Sequence, residues 1–229
     1  MKIIVLNSGG IDSTTCLGMM LDKYNKEDVS TITIYYGQTL KKEIDCAKKI
    51  AEYYGVNHYE FNLESIFKYS NCTLLEHSNK EIEESSYEDQ YNGSNISSYV
   101  PFRNGLILSV ATTLAQSLYE NEEVKIVLGN HKDDFSYSDC SMDFTNKMNE
   151  AIKSGTNNLV SFEAPIVNLT KEEIVKIGLE LKVPYELTWS CYKGKDKACG
   201  KCASCICRLN AFKNNNTNDV IEYEGDINE

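Results

Sequence analysis

Apolar and polar positions along the chain alternate between short apolar runs and longer amphipathic stretches. Residues 2–6, Lys-Ile-Ile-Val-Leu, form a run that stops at Asn7-Ser8-Gly9-Gly10, after which residues 12–21 place their apolar side chains on one face of a helix. Residues 29–36 are rich in β-branched and aromatic side chains and end at Gly37-Gln38, while residues 41–54 have helical periodicity and stop at Gly55. Residues 56–61 read as a third strand, 103–118 as a long helix, and 124–128 as a fourth strand ending at Gly129-Asn130. Thr170-Lys171-Glu172-Glu173 is a capping box that opens a helix running to about residue 181. Strands alternating with helices predict an α/β fold built on a doubly wound parallel sheet.

Two stretches break the pattern. Residues 62–98 are acidic and rich in Asn and Ser, with weak periodicity, which predicts an insertion outside the core and an expected place for a mobile lid. The chain after Asn214 is polar and reads as a flexible tail. The expected organisation is one α/β domain over 1–185, a cysteine-rich segment over 186–214 packed on it, and a tail over 215–229.

Composition narrows the classes. The 229 residues, 41% hydrophobic and 25% charged, suit one large domain better than two small ones. No basic, apolar, small-residue series opens the chain and no apolar run approaches a membrane span, so the expectation is a cytoplasmic protein with no membrane partner. A formal charge of −11 argues against a stable, sequence-independent grip on nucleic acid, which requires a surplus of lysine and arginine. Any anionic ligand must then be held by local groups. Nine cysteines, an odd count with four clustered near the C-terminus, favour metal over disulfides.

Four motifs carry candidate chemistry. Ser8-Gly9-Gly10-Ile11-Asp12-Ser13 lies between a predicted strand and a predicted helix, where backbone N–H groups and the helix dipole favour an anion. No lysine follows the glycines, so this is neither the Gly-Lys-Ser type of phosphate loop nor the three-glycine dinucleotide fingerprint. It is similar to the SGGxDS signature of the PP-loop ATP pyrophosphatases, in which such a loop holds the departing pyrophosphate while a substrate oxygen attacks the α-phosphorus. Cys191, Cys199, Cys202 and Cys205, spaced C-x7-C-x2-C-x2-C with Gly200 for the turn, specify a closed tetrahedral site and hence a structural zinc; an iron–sulfur cluster or free thiols remain open on spacing alone. Cys207 stays outside the ligand set, and Cys16, Cys46 and Cys72 read as packing or incidental residues.

In Tyr99-Val100-Pro101-Phe102-Arg103-Asn104, Pro101 holds the chain extended and presents Arg103 at the first turn of the long helix, fit for a phosphate clamp or a structural ion pair. The stretch from Gly129 to Cys140 is a polar loop at the end of a strand, where ligands of open α/β sheets gather. Within it Asp133, Asp134 and Asp139 suit magnesium, a substrate amine or solvent, and His131 suits a base or a bystander.

Taken together, SGGIDSTTC at 8–16, YYGQ with Glu43 after it, YVPFRN at 99–104, Ser138-Asp139-Cys140, and LTWSCY with CGKCASC at 187–205 resemble the 7-cyano-7-deazaguanine synthase family over nearly the whole chain. The resemblance implies a ligase that adenylates 7-carboxy-7-deazaguanine with ATP and Mg²⁺, adds ammonia to give an amide, and dehydrates the amide to a nitrile with a second ATP. It also implies a homodimer. It carries Ser8, Gly9, Gly10, Asp12, Ser13, Thr14 and Thr15 over as nucleotide-binding, and the four late cysteines as zinc ligands. The catalytic candidates are Asp12, Arg103, Lys132 and Asp133; the substrate-binding candidates are Gln38, Arg103, Asn104, Asp133, Tyr137 and Asp139. Against the family pattern, Thr39-Leu40 stand where a basic residue and a histidine are usual, Phe102 replaces a small residue, and the loop 135–141 is shorter and lacks a proline and an arginine. These differences leave room for a relative that stops at an amide, with ammonia or a protein amine as acceptor. A non-catalytic zinc-knuckle module is the alternative from another class, but it leaves the glycine loop unexplained.

Overall fold

The computed structural model describes residues 1–91, 96–134 and 137–225, without the side chain of Asp133. Its elements run β1 (Lys2–Leu6), α1 (Ile11–Lys23), β2 (Val29–Tyr35), α2 (Lys42–Tyr54), β3 (Asn57–Asn62), α3 (Glu64–Phe67), α4 (Tyr87–Gln90), α5 (Arg103–Leu118), β4 (Val124–Val127), α6 (Met142–Gly155), β5 (Val160–Glu163), α7 (Lys171–Glu180) and α8 (Ala203–Asn214). The five strands form one sheet in the order β3-β2-β1-β4-β5, every pair parallel. From β1 the winding goes outward through β2 and β3 on one side and through β4 and β5 on the other. The crevice of this fold therefore lies between the carboxyl ends of β1 and β4.

The period of two in β1 assigns its side chains to two cores. Ile3 and Val5 pack with Cys16, Leu17 and Met20 of α1 and with residues of α7 and α8. Ile4 and Leu6 pack on the other face with Leu108, Ala111 and Ala115 of α5 and Ile152 of α6. A strand covered on both sides reads as a continuous apolar run, which is why β1 stands out in the sequence. None of the helices among the described residues is long and apolar enough to cross a membrane.

Three features differ from the sequence-based expectation. Helix α6 and strand β5 were not anticipated: α6 packs Phe144, Met148 and Ile152 on the second core, and β5 is a four-residue edge strand. The segment 62–98 is more than a polar insertion, because Phe67, Cys72, Leu74 and Leu75 build a small core against Tyr36 and Val100. It is laced to the turn after β2 by Thr39 N–H to the Leu74 carbonyl (2.9 Å) and Glu76 N–H to the Gly37 carbonyl (2.9 Å). The expected flexible tail is folded down as far as residue 225: Asp219 makes a buried ion pair with Arg208, and Tyr223 is buried beside the cysteine segment.

Candidate active site

The loop after β1 is set by side chains of its own sequence. Asn7, 1% exposed, accepts the Gly9 N–H on Oδ1 (3.0 Å), and its Nδ2 donates to the Ala47 carbonyl (3.2 Å). Ser13 Oγ accepts the Ser8 N–H (3.1 Å) and lies 3.1 Å from Ser8 Oγ. Gly9 sits at φ +80°, where a side chain is strained, and a Cβ there would lie 2.2 Å from the Glu43 carbonyl oxygen. No side chain caps α1, whose N-cap is Gly10. Its first-turn amides and dipole therefore face the crevice as an anion cradle. The end of β4 is drawn against this turn, with Gly129 so close that a Cβ would lie 3.0 Å from the Ser13 amide nitrogen.

Asp12 does not point at bare solvent. Both its carboxylate oxygens accept from Lys171 Nζ, at 2.7 and 2.6 Å, and His131 Nε2 lies 3.8 Å from Oδ2. Burial pushes the Asp12 carboxyl up, but Lys171 and His131 outweigh it and hold it below the usual carboxylate range. A carboxyl with a depressed folded pKa contributes stability that is present above its unfolded value and lost as pH falls through the folded one. The thermal stability gap between the wild type and Asp12→Asn is accordingly expected to hold from pH 7 to about 4 and to shrink below it. A gap that stays constant to pH 3 would mean that the charge on Asp12 contributes nothing.

The crevice continues into a cavity of about 240 Å³ lined by Ser8, Gly10, Asp12 and Ser13 at one end, and by Arg103, Asn104, Tyr137 and Asp139 elsewhere on its wall. Arg103 opens α5 after Phe102, which adopts left-handed backbone (φ 49°), and its Nη1 donates to the Tyr36 hydroxyl at 3.2 Å. Asn104 fixes the aspartate loop twice: its N–H donates to Asp139 Oδ2 (2.9 Å) and its Nδ2 to the Asp139 carbonyl (3.1 Å). Burial pushes the Asp139 carboxyl up, opposed by the Asn104 N–H and by Arg103. The hydroxyls of Tyr137 and Ser98 are 2.9 Å apart, and the rings of Tyr137 and Tyr99 stack.

The expected site residues are distributed unevenly. Gln38 lines the cavity, with its Oε1 accepting the Tyr36 N–H (2.8 Å). Thr14 and Thr15 face inward along α1, Thr14 to the Gly10 carbonyl and Thr15 to the Tyr185 hydroxyl, so they support the loop from behind. Lys132 is exposed and is not part of the wall; the ammonium in the site belongs to Lys171, which the sequence marked only as the start of a helix. The side chain of Asp133 lies outside the described residues. Asn7, Asn130, Lys171 and Glu43 were not among the expected site residues, yet all four line the cavity. Burial pushes the Glu43 carboxyl up to about 8 despite the nearby Arg103. Asn130 Nδ2 donates to the Cys140 carbonyl (2.6 Å), which holds the aspartate loop against the end of β4.

Beside the glycine loop the four sulfurs of Cys191, Cys199, Cys202 and Cys205 lie within 4.8 Å of one another. A tetrahedral zinc with Zn–S of about 2.3 Å needs sulfurs about 3.8 Å apart, so the donor set fits that ion. Backbone N–H groups of Lys193, Gly194 and Cys199 donate to Cys191 Sγ at 3.4, 3.0 and 3.2 Å, a setting that suits a thiolate ligand. Four sulfur ligands would close the coordination shell of such an ion and leave no position on it for a substrate.

An anion cradle at the switch point of a parallel sheet, opening into one cavity with a guanidinium and a buried carboxylate, defines a nucleotide-binding α/β enzyme. The chain belongs to the QueC family: the family model described as "Queuosine biosynthesis protein QueC" matches residues 2–216. It is 40% identical to the 7-cyano-7-deazaguanine synthase of Picrophilus torridus, over 97% of this chain and 92% of that protein. It is 38% identical to the same enzyme of Oceanobacillus iheyensis, over 97% of this chain and 98% of that one. Among solved structures, the NMN synthetase of Francisella tularensis aligns with a TM-score of 0.49 at 12% identity, over 85% of this chain and 69% of that one.

Proposed function

We propose that this chain is a 7-cyano-7-deazaguanine synthase, converting 7-carboxy-7-deazaguanine to the nitrile with ATP and ammonia. The observation that carries the reading is the single cavity that joins the phosphate cradle of α1 to Arg103, Asn104 and Asp139. ATP lies with its β- and γ-phosphates on the uncapped first-turn amides of α1, at Ile11, Asp12 and Ser13, in the loop that Ser8, Gly9 and Gly10 shape. A carboxylate oxygen of the substrate attacks the α-phosphorus, the bond to pyrophosphate breaks, and the cradle neutralises the charge that develops there. Ammonia then attacks the acyl carbon, AMP leaves, and a proton is lost to give the amide. In the second round the amide oxygen attacks the α-phosphorus of another ATP, and loss of AMP and two protons leaves the nitrile. AMP serves in both rounds because hydroxide and oxide are poor leaving groups.

Arg103 faces the anionic reactants as a fixed cation, and Asp139 accepts N–H donors from the pyrimidine edge of the deazaguanine between the rings of Tyr36 and Tyr137. Gln38 shapes the turn that carries Tyr36. Mg²⁺ supplies the countercharge of the triphosphate when bound; the hard oxygens of Asp12 and Asp134, which lie 3.8 and 3.5 Å from His131 Nε2, suit it. A homodimer belongs to the same reading through the family resemblance alone.

The test is mass spectrometry of purified protein with Mg·ATP, the carboxy-deazaguanine and ammonium. Nitrile accumulating with AMP and pyrophosphate supports the reading; amide as the end product overturns the nitrile step, and no AMP overturns the adenylation. Within that assay Asp139→Asn is expected to raise the KM for the carboxy-deazaguanine by about tenfold to a hundredfold, the size of a charge-assisted hydrogen bond, with little change in the KM for ATP. Equal increases in both would remove Asp139 from the substrate edge.

A further inference from the structure

The cysteine segment grips the phosphate loop directly. The Trp189 N–H donates to the Gly9 carbonyl at 2.9 Å, two residues before the first cysteine of the metal set. The indole Nε1 of Trp189 donates to the Cys191 carbonyl at 3.0 Å, so the orientation of the ring follows the backbone of that cysteine. On its other side Gly9 is pressed against the Glu43 carbonyl and the Ala47 amide of α2. The start of α2 is in turn fastened to the same cysteine segment. Lys42 Nζ lies 3.4 Å over the Trp189 ring and donates to the carbonyls of Lys195 (3.0 Å) and Asp196 (2.8 Å), both on the loop between Cys191 and Cys199. Gly9 is thus held between two contacts, each tied to the chain that wraps the metal.

We propose that Lys42 and Trp189 are positioning residues that couple the four-cysteine metal site to the phosphate loop, so that metal and phosphate ligand strengthen each other's binding. This rests on the reading of the glycine loop as a phosphate site. Without metal, the loop 192–198 is no longer pinned at both ends by Cys191 and Cys199, and the carbonyls that orient Lys42 lose their fixed positions. The ring under Lys42 and the N–H on Gly9 then lose their register, and the cradle loses its aim. Linkage requires the converse: a phosphate ligand that fixes Gly9 must hold the metal more tightly by the same factor. A zinc that merely staples the C-terminal segment would give no such factor.

The experiment measures the equilibrium zinc affinity of the full chain by competition with a chromophoric chelator, with and without saturating pyrophosphate. Pyrophosphate affinity is read in parallel from the fluorescence of Trp189, the single tryptophan, with zinc bound and removed. Pyrophosphate is expected to tighten zinc by about fivefold or more, and zinc to tighten pyrophosphate by an equal factor. Lys42→Met, which keeps an apolar stem over the indole, is expected to bring both factors near one while zinc and pyrophosphate each still bind. Zinc affinity unmoved by pyrophosphate in the wild type, or a coupling factor unchanged in Lys42→Met, overturns the proposal. If neither pyrophosphate nor ATP binds the zinc-loaded wild type, the phosphate reading of the loop fails and the coupling falls with it.

Discussion

Gly9→Ala is expected to reduce substrate-dependent ATP–pyrophosphate exchange by more than about a thousandfold, the loss that follows when an aligned phosphate cradle is removed. Two independent constraints meet at this residue. Its φ of +80° strains any side chain, and its Cβ would stand 2.2 Å from the Glu43 carbonyl oxygen and 2.9 Å from the Ala47 amide nitrogen. Both obstacles are backbone atoms of α2, so no rotamer change relieves them. Either α2 moves, which disturbs the buried Ile44, Ala47, Ile50 and Ala51, or the loop swings away and takes its N–H groups off the phosphate. The neighbouring glycine is the internal control: at Gly10 a Cβ would meet Ser8 Oγ at 3.4 Å and the Trp189 carbonyl oxygen at 3.6 Å, ordinary contact at a φ of −89°. Gly10→Ala is therefore expected to keep the wild-type melting temperature, and Gly9→Ala to lower it. Exchange in Gly9→Ala within tenfold of wild type would show that the loop need not be held in this conformation.

The parts of the site that the sequence disclosed are those whose chemistry is local. The Ser8 to Ser13 loop is flanked by its strand and helix within twenty-odd residues, and the four metal-set cysteines announce one another by spacing alone. The parts that stayed hidden depend on contacts between distant segments. Lys171 meets Asp12 across a separation of 159 residues, and nothing around it distinguishes it from any first-turn lysine. Lys132 had the better credentials, in a polar loop beside aspartates, but it is exposed and off the cavity wall. Glu43 stood out only through the family resemblance, with no role attached; the approach of α2 to Gly9 is what brings it to the cavity. In the segment 62–98, Phe67, Cys72, Leu74 and Leu75 are buried against Tyr36 with neither a helical nor a strand period, so pattern reading had no period to detect. Helix α6 left two signals in the sequence: Ser141 caps it by accepting the Phe144 N–H (3.1 Å), and Phe144, Met148 and Ile152 recur at helical spacing on its core face.

The C-terminal tail gives the largest expected stability effect. Arg208 is 0% exposed, its Nε and Nη2 donate to the two Asp219 oxygens at 2.6 and 2.9 Å, and its Nη1 donates to Thr188 Oγ1 at 2.8 Å. The Tyr223 hydroxyl donates to Asp219 as well, at 2.5 Å, and Nη2 reaches the Tyr185 carbonyl at 3.3 Å. The guanidinium fork thus ties the tail to the chain just before Trp189. Removing one partner of a buried pair strands the other charge, at a cost of about 3–5 kcal/mol, so Arg208→Met is expected to lower the melting temperature by roughly 10 °C in a chain of this size. Arg208→Lys should recover little, because an ammonium cannot serve Asp219, Thr188 and the Tyr185 carbonyl together. Deleting the residues after Asn214 leaves Arg208 as the stranded partner and should cost a similar amount, whereas loss of a frayed tail would cost nothing. The double change Arg208→Met with Asp219→Leu separates the two contributions: it is expected to regain most of the loss if burying an unpaired charge is the main penalty. If the double variant is no better than Arg208→Met, the stability comes from the geometry of the fork and not from charge balance.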